Sequence, residues 1–179
     1  MKTWEKKVLL SRETIQNRVA ELGDRISIDY AGKEPLLIGV LKGVVFFLAD
    51  LMREIRISSE LDFIRAASYG SEMTSSGKIK LTKDVEMPLK GKHVIVVEDI
   101  VDTGLTLSHI MKILERRGVE SLRVCALIDK IERRDVTVPI DYCGFRIKKG
   151  FLVGYGLDYN EQYRHLPDIY ELTLTLHKI

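Results

Sequence analysis

The sequence predicts an α/β protein with a mainly parallel central sheet flanked by helices. Two short apolar runs, residues 36–41 and 94–97, are each followed by a polar turn and then by apolar side chains at helical spacing. Runs that are apolar on both faces suit strands covered by helices on both sides, and strand–loop–helix is the first half of a βαβ unit. The length of 179 residues allows one well-buried core, so we expect a single domain over residues 1–179.

Apolar side chains at three- and four-residue spacing predict amphipathic helices in three stretches. The first follows Ser11, whose hydroxyl can cap a helix with the stripe Ile15, Val19, Leu22 and Ile26. The second has an inner side formed by Val44, Phe47, Leu48, Leu51 and Met52. The third has the stripe Leu107, Ile110, Met111 and Leu114 and stops at Gly118. These stripes predict packing against the sheet.

Further strands are predicted by apolar or alternating runs at residues 61–67, 122–128 and 141–147. Residues 172–176 alternate leucine with threonine, which predicts an edge strand. Residues 68–83 are polar and punctuated by glycine, and a loop of that length in a compact domain is typical of a lid or a disordered excursion.

The stretch from residue 94 to residue 106 combines a strand, an acidic corner and a loop of the size that holds a phosphate. We expect the strand to end at two adjacent carboxylates, Glu98 and Asp99. The turn after them consists of Asp102, Thr103, Gly104, Leu105 and Thr106. Each residue alone has an ordinary explanation, as a solvated strand end or a helix cap. Together they favour a site where carboxylates hold a sugar's vicinal hydroxyls and helix N–H groups hold its phosphate.

Two lysines also follow predicted strands, at the sheet edge where ligands bind in open α/β folds. Lys42 and Gly43 come after the first apolar run and offer a charge together with close backbone approach. Lys130 comes after residues 122–128, where it could meet a ligand carbonyl. From these residues alone, a plain turn and a solvated lysine remain the better interpretations.

Composition restricts the partners of the chain. Its 28 basic and 26 acidic residues leave a formal net charge of +2, so any anion binding is local, and neither nucleic acid nor a membrane surface is indicated. Because no stretch approaches the length of a membrane span or a signal peptide's apolar region, we expect a cytoplasmic setting. Cys125 and Cys143 lack metal-ligand spacing and predict two buried small hydrophobes. The mixed-charge residues 132–135 predict a solvated face.

Residues 96–106 closely resemble the 5-phosphoribosyl 1-pyrophosphate (PRPP) binding motif of the type I phosphoribosyltransferases. The segment Glu-Asp-Ile-Val-Asp-Thr-Gly-Leu-Thr at residues 98–106 is similar to the hypoxanthine-guanine branch of that family. Lys130 and the stretch Phe-Leu-Val-Gly-Tyr-Gly-Leu-Asp-Tyr at residues 151–159 are similar to the same branch. The resemblance runs from residue 42 almost to residue 169, although Val44 stands where the family usually has a small residue.

The resemblance implies the type I phosphoribosyltransferase fold, with a small hood lobe formed by the N-terminal segment and the part after about residue 140. It implies a purine-salvage enzyme that transfers the 5-phosphoribosyl group from PRPP to N9 of hypoxanthine, guanine or xanthine. The expected products from the first two bases are IMP and GMP, with pyrophosphate, and the expected cofactor is Mg²⁺. A homodimer or homotetramer is the expected assembly.

The roles of the family's residues carry over position by position. Asp102 is the expected general base, and residues 102–106 are the expected 5′-phosphate loop. Glu98 and Asp99 are expected to engage the ribose hydroxyls or their metal. The pyrophosphate group is expected at Lys42, Gly43 and Arg164. The purine is expected at Lys130, Phe151, Leu152 and Asp158, of which Asp158 is also a metal ligand. Ser68 and Tyr69 are expected to begin the lid loop.

Two other classes of function compete with this interpretation. Pyrimidine-operon attenuation proteins use the same fold to bind RNA, and such a regulator would need a basic face and a salt-dependent RNA affinity. A phosphoribosyltransferase for adenine, uracil or orotate is the second alternative. The near-neutral charge disfavours the first class, and Lys130 as a donor to a 6-oxo group disfavours the second.

Overall fold

A computed structural model describes residues 2–68 and 79–176, which form one large sheet and one small sheet with three helices. The strands are β1 (Lys2–Leu10), β2 (Leu36–Val40), β3 (Glu60–Ser68), β4 (Ile79–Lys83), β5 (His93–Val101), β6 (Ser121–Lys130), β7 (Tyr142–Ile147), β8 (Phe151–Val153) and β9 (Ile169–Leu176). The helices are α1 (Arg12–Asp29), α2 (Val45–Glu54) and α3 (Leu105–Glu115). The predicted α/β class is confirmed.

The large sheet has the strand order β4-β3-β2-β5-β6-β7. Every pairing from β3 to β7 is parallel, and only β4 runs antiparallel to its neighbour β3. Gly39 of β2 pairs with Val97 of β5, and Val101 of β5 pairs with Asp129 of β6. Because parallel strands end on the same edge of a sheet, the polar residues after β2, β5 and β6 meet there.

The apolar runs fill the core because their side chains alternate between the two faces of the sheet. On one face Ile95 and Val97 pack in a cluster with the buried stripes of α1 and α2. On the other face Val94 and Val96 pack in a cluster with Leu107, Ile110 and Leu114 of α3. The predicted cap of α1 is also confirmed, since Ser11 Oγ accepts a hydrogen bond of 3.2 Å from the Thr14 N–H. The rigid sheet between these layers carries the site.

The small sheet has the strand order β1-β9-β8, with both pairings antiparallel. The prediction that residues 172–176 form an edge strand is wrong at Leu172, which pairs with both neighbouring strands, whereas residues 173–176 pair with β1 alone. A strand's own alternation does not reveal how many segments pair with it, and β1 at the far end of the chain carried no apolar alternation that would have predicted it. The segment assigned to the hood from about residue 140 also includes β7, which belongs to the large sheet.

Three predicted boundaries differ from the structure for a common reason. The expected loop at residues 68–83 contains β4, which pairs with the end of β3. β5 continues past Glu98 and Asp99 to Val101 instead of ending at the two carboxylates, and β6 continues through Lys130. Backbone pairing continues where side chains become polar, so hydropathy placed the ends too early. Ser68 ends β3, whereas the expected lid residue Tyr69 lies outside the described residues.

The expectations from composition have mixed outcomes. Both cysteines are free thiols, but only Cys125 is buried, while Cys143 is half-buried on β7. Among the helices of the described part of the chain, none is long and apolar enough to span a membrane.

Asp62, a buried carboxylate at the start of β3, is expected to stabilise the folded protein. Burial alone would raise its pKa, but backbone N–H donors at Met87, Phe63 and Glu86 outweigh burial, so the pKa of Asp62 lies below its ordinary value of 3.8. Asp62→Asn is expected to lower the free energy of unfolding at pH 7 by about 1–3 kcal/mol, because an amide cannot replace both acceptor oxygens.

Urea denaturation of both proteins across a pH series measures this effect. Since the folded-state pKa is lowered, the stabilisation is present above pH 3.8 and is lost as the pH falls through the lower folded value. The difference in the free energy of unfolding between the unmodified protein and Asp62→Asn should therefore become smaller only at acid pH. The matched control is Asp24→Asn at an exposed ion pair, where a change within about 0.5 kcal/mol is expected. A constant difference at all pH values would contradict the prediction.

Candidate active site

A cleft of about 230 Å³ lies at the carboxyl edge of the large sheet. Its walls include the ends of β2 and β5 and the turn into α3. The polar residues that line it are Glu98, Asp99, Asp102, Thr103 and Thr106. The structure thus brings the predicted acidic corner and most of the predicted phosphate loop into one cleft.

Glu98 and Asp99 form a coupled carboxyl pair at the base of the cleft. Burial and the neighbouring charge of Asp99 hold the pKa of Glu98 well above its ordinary value. Burial also raises the pKa of Asp99, even though the Glu98 carboxyl, the Ile100 N–H and the charge of Arg164 favour the ionised form. Two carboxyls this close favour a shared proton or a bound cation.

The turn between β5 and α3 presents backbone N–H groups to the cleft. Gly104 has a φ of 81°, a left-handed conformation that favours glycine, and it directly precedes the helix. Gly104 at the N-cap has no side chain to cap α3, and the Thr103 hydroxyl accepts from the Leu105 N–H at 3.3 Å. The first N–H groups of a helix have no partner within the helix and favour an anion there. The local geometry suits a phosphate group.

Asp102 and Lys130 lie side by side because β5 and β6 end in register. Lys130 is only 7% exposed, and its Nζ lies 3.6 Å from Asp102 Oδ1, an ion pair too long for a hydrogen bond. Asp102 Oδ1 is buried and has no hydrogen-bond partner among the described residues. A buried carboxylate oxygen normally has a partner. The Asp102 side chain as a whole is 29% exposed, so the carboxylate can still meet a donor that enters the cleft.

Lys42 and Gly43 follow β2 and lie beside the carboxyl pair. The peptide bond between Leu41 and Lys42 is cis. A Cβ at Gly43 would collide with the Asp99 carboxylate, and a Cβ at Gly156 would collide with the Gly43 carbonyl. Only glycine allows this close approach of two backbones and a carboxylate. The loops after β2 and β8 are thereby joined at the cleft.

Arg164 lies at this junction and is held by several acceptors. It donates to the Gly156 carbonyl at 2.7 Å and forms ion pairs with Asp158 at 2.7 Å and with Glu161 at 3.3 Å. Glu161 also pairs with Lys42 at 3.1 Å. The predicted pyrophosphate residues are thus neighbours, and their charges are balanced by carboxylates that an incoming anion can replace.

The loop after β8 is built from unusual backbone conformations. Among the described residues, the non-glycine residues with positive φ all lie in it, namely Tyr155, Asn160, Glu161 and Tyr163. Such conformations each cost about 1 kcal/mol or more and persist where the surroundings hold them. Tyr155 is held by its N–H on the Leu166 carbonyl at 2.8 Å and its hydroxyl on Asp50 at 2.7 Å. Backbone strain of this kind clusters at ligand sites.

Aromatic side chains from the small sheet surround the predicted purine residues. Phe151 on β8 is 45% exposed, and Tyr159 meets its ring edge-on at a centroid distance of 5.5 Å. Trp4 on β1 packs against the same tyrosine at 5.3 Å. Leu152 is buried beside Phe151. An exposed ring supported from behind can stack on a flat base.

Arg134 is the main residue that the sequence interpretation missed. The prediction that residues 132–135 form a solvated face is wrong for it, because its side chain is only 15% exposed. It donates to three backbone carbonyls and to Asp129 beneath the cleft. No local signal distinguishes it from the exposed Arg133, since its burial depends on the strand ends it reaches.

No cluster of three or more histidine, cysteine, aspartate or glutamate side chains could hold a metal ion within residues 2–68 and 79–176. Two of the predicted metal ligands, Glu98 and Asp99, lie together, whereas the third, Asp158, is paired with Arg164. Mg²⁺ is commonly bound by one or two carboxylates, with water and substrate phosphates completing its shell. The carboxyl pair fits that mode of binding.

The family model described as phosphoribosyl transferase domain matches residues 9–160. The chain belongs to this family. The hypoxanthine phosphoribosyltransferase of Escherichia coli strain K12 is 45% identical over 169 residues, which cover 93% of this chain and 95% of that protein. The hypoxanthine-guanine phosphoribosyltransferase of Bacillus subtilis strain 168 is 43% identical over 163 residues, 91% of either chain.

Solved structures agree with this assignment. The crystal structure of a hypoxanthine-guanine phosphoribosyltransferase from Bacillus anthracis superposes with a TM-score of 0.89 at 45% identity, over 94% of this chain and all of that one. A hypoxanthine phosphoribosyltransferase from Staphylococcus aureus gives a TM-score of 0.89 at 41% identity, over 93% of this chain and 91% of that one. The predicted type I phosphoribosyltransferase fold and the predicted resemblance to the hypoxanthine-guanine branch are confirmed.

The close approach of Gly43 to Asp99 and Gly156 is expected to be needed for the activity of this phosphoribosyltransferase. Gly43→Ala should lower the phosphoribosyl-transfer rate per folded molecule by about 10-fold or more, because the new methyl group displaces the carboxylate and the opposing loop. Steady-state kinetics on protein whose folded fraction is measured by thermal melting tests this.

The matched control is Gly91→Ala, remote from the site. Gly91 has a φ of 74° and no atom that an added Cβ would meet within 4 Å. This variant should lose about 1–2 kcal/mol of stability through backbone strain and keep its activity. Full activity of the Gly43 variant would show that the close approach is dispensable.

Proposed function

We propose that this phosphoribosyltransferase is a purine-salvage enzyme that transfers the 5-phosphoribosyl group from PRPP to N9 of hypoxanthine or guanine, releasing pyrophosphate. Xanthine is a third candidate base. The observation that carries the proposal is the pairing of Asp102 and Lys130 at the cleft, with a buried carboxylate oxygen that has no hydrogen-bond partner. A 6-oxopurine offers a carbonyl to the lysine and a ring N–H to the carboxylate. The names of the relatives support the same substrate class.

Asp102 is the proposed general base. When the new bond to the sugar forms at N9, the purine must lose a proton, and a carboxylate within hydrogen-bond reach of the ring can take it. The Asp102 carboxylate is partly exposed and would make that bond, and Lys130 beside it would stay a donor for the 6-oxo group. Together the two side chains select a base that presents an acceptor next to a donor.

The sugar phosphate is proposed to bind along the floor of the cleft. Backbone N–H groups of residues 103–106, with the Thr103 and Thr106 hydroxyls, receive the 5′-phosphate at the start of α3. Glu98 and Asp99 engage the ribose hydroxyls. These contacts orient the anomeric carbon toward the purine and lower the entropic barrier of the transfer.

Lys42, Gly43 and Arg164 are proposed to hold the pyrophosphate. The transition state carries negative charge on this leaving group, so fixed cations on its side lower the barrier. Lys42 and Arg164 would exchange Glu161 and Asp158 for pyrophosphate oxygens. Mg²⁺, held by Glu98 and Asp99 and by Asp158 once it is released, would neutralise charge on the same oxygens.

Phe151 and Leu152 are proposed to complete the purine site. The Phe151 ring is exposed for stacking on the base, and the backbone of Leu152 offers polar groups to the ring edge. Ser68 and Tyr69 are proposed to begin a lid that excludes water from the reactive sugar. A homodimer or homotetramer stays a prediction from the resemblance, and a cytoplasmic location stays a prediction from the sequence.

The first experiment offers hypoxanthine, guanine, xanthine, adenine and uracil separately with PRPP and Mg²⁺ and follows nucleotide formation by ultraviolet absorbance. Turnover of hypoxanthine or guanine without turnover of adenine or uracil is expected. Adenine has an amino group in place of the 6-oxo acceptor that Lys130 requires, and uracil lacks the second ring that carries N9. Turnover of adenine or uracil alone would overturn the proposal. No turnover of any of the five bases, despite binding of PRPP, would favour the RNA-binding regulator.

The base role of Asp102 has its own test. Asp102→Asn should lower kcat by about 10²- to 10⁴-fold, because an amide cannot accept the purine proton. The Kd for PRPP should change little, since the phosphate loop binds through its backbone. Rapid-mixing kinetics and calorimetric titration of PRPP measure the two quantities. Equal losses in kcat and PRPP affinity would remove Asp102 from the base role.

A further inference from the structure

Arg134 joins the ends of β5 and β6 beneath the cleft. Its Nε donates to the Asp102 carbonyl at 2.8 Å, and its Nη2 lies 2.8 Å from the Val101 carbonyl and 3.0 Å from the Lys130 carbonyl. The same Nη2 lies 2.5 Å from Asp129 Oδ1. One guanidinium therefore contacts the backbone of both Asp102 and Lys130.

The residues after Arg134 extend this contact to the phosphate loop. The N–H groups of Asp135 and Val136 both donate to the Thr103 carbonyl at 3.0 Å. A Cβ at Gly104 would collide with the Val136 carbonyl, so the two segments lie backbone to backbone. Residues 134–136 thus form a clamp over the turn that presents the N–H groups of α3.

We propose that Arg134 is a positioning residue for phosphoribosyl transfer, which sets the separation of Asp102 and Lys130 and fixes the phosphate loop relative to both. This inference rests on the proposed function, because it acts through the proposed base and the proposed 6-oxo donor. In the described part of the chain, the hydrogen bonds of the Arg134 side chain go to the carbonyls of Asp102, Lys130 and Val101 and to the Asp129 carboxylate. Its role is therefore to orient the groups that meet the substrates.

The chemistry of the side chain explains why arginine is required. A planar fork with fixed N–H directions can serve carbonyls on two strands at once, whereas a lysine ammonium is a point charge on a flexible stem. Asp129 balances the buried positive charge, and it is 8% exposed. Removal of the fork would leave strand-end carbonyls without donors and the Asp129 carboxylate without its closest cation.

Arg134→Lys is the central test, because it keeps the charge opposite Asp129 and loses the fork. The variant should show kcat about 10- to 100-fold lower, since displacements near 1 Å at a reacting pair have effects of that size. The KM values for PRPP and for the purine should both rise, because the clamp contacts both binding segments. Circular dichroism, thermal melting and titration of nucleotide-binding sites give the folded and active fractions.

Arg146→Lys is the matched control. Arg146 is an exposed arginine on β7 whose side chain also approaches Asp129, at 3.7 Å, and forms no ion pair with Asp102 among the described residues. Its kinetic constants should match those of the unmodified enzyme. A kcat loss equal to that of the Arg134 variant would mean that any weakened cation at Asp129 has this effect, and would overturn the proposal.

A double-mutant cycle separates positioning from a general structural role. If Arg134 acts mainly through Asp102, then Arg134→Lys should lower kcat by a clearly smaller factor in the Asp102→Asn background than in the unmodified enzyme. The base is already absent there, and only the effect through Lys130 and the phosphate loop is left. Equal fold losses in both backgrounds, or a loss explained wholly by a smaller active fraction, would overturn the inference.

Failure of the positioning role of Arg134 can be distinguished from failure of the proposed function. If the unmodified enzyme turns over no purine, the proposed function fails, whereas turnover that is unaffected by Arg134→Lys refutes only the positioning role. Hydrogen exchange tests the proposal without measuring turnover. The Asp135 and Val136 amides, which donate to the Thr103 carbonyl, should exchange faster in Arg134→Lys than in the unmodified enzyme. Their exchange rates should be unchanged in Arg146→Lys. Unchanged exchange at both amides would also overturn the proposal.

Discussion

The parallel pairing of β5 with β2 on one side and β6 on the other is the constraint on which the site depends. Gly39 pairs with Val97, so the chain leaves β2 level with the carboxyl pair and brings Gly43 against Asp99. Val101 pairs with Asp129, so Asp102 and Lys130 follow as neighbours. A shift of either register by one residue would turn these side chains to the opposite face and separate them.

The site concentrates charge that is costly to bury, and each charge is balanced locally. Arg164 is paired with Asp158 and Glu161, Lys42 with Glu161, and Arg134 with Asp129. Only the Arg134–Asp129 pair is buried, and loss of one partner of a buried pair strongly destabilises a protein. The pairs of Lys42 and Arg164 with Glu161 include an exposed carboxylate and contribute little stability. The balanced arrangement fits an enzyme that binds an anionic substrate, because incoming phosphates can replace carboxylates around cations that are already in place.

The residues of the proposed site come from both sheets. The large sheet presents the carboxyl pair, the phosphate loop and Lys130 from strand ends that are anchored in the core. The small sheet presents Phe151 on a surface supported by Tyr159 and Trp4. The loop that joins them is held in strained conformations by specific hydrogen bonds, so its geometry is preorganised for a ligand.

The sequence by itself determined the fold class, the core stripes of the three helices and the identities of the residues in the cleft. Those features depend on local periodicity and on contiguous motifs, which are visible along the chain. Tertiary structure alone decided the central place of β9, the extension of β5 and β6 through their polar ends, and the burial of Arg134. These features depend on pairing between segments far apart in sequence, and a residue such as Arg134 carries no mark of the two strand ends that it will join.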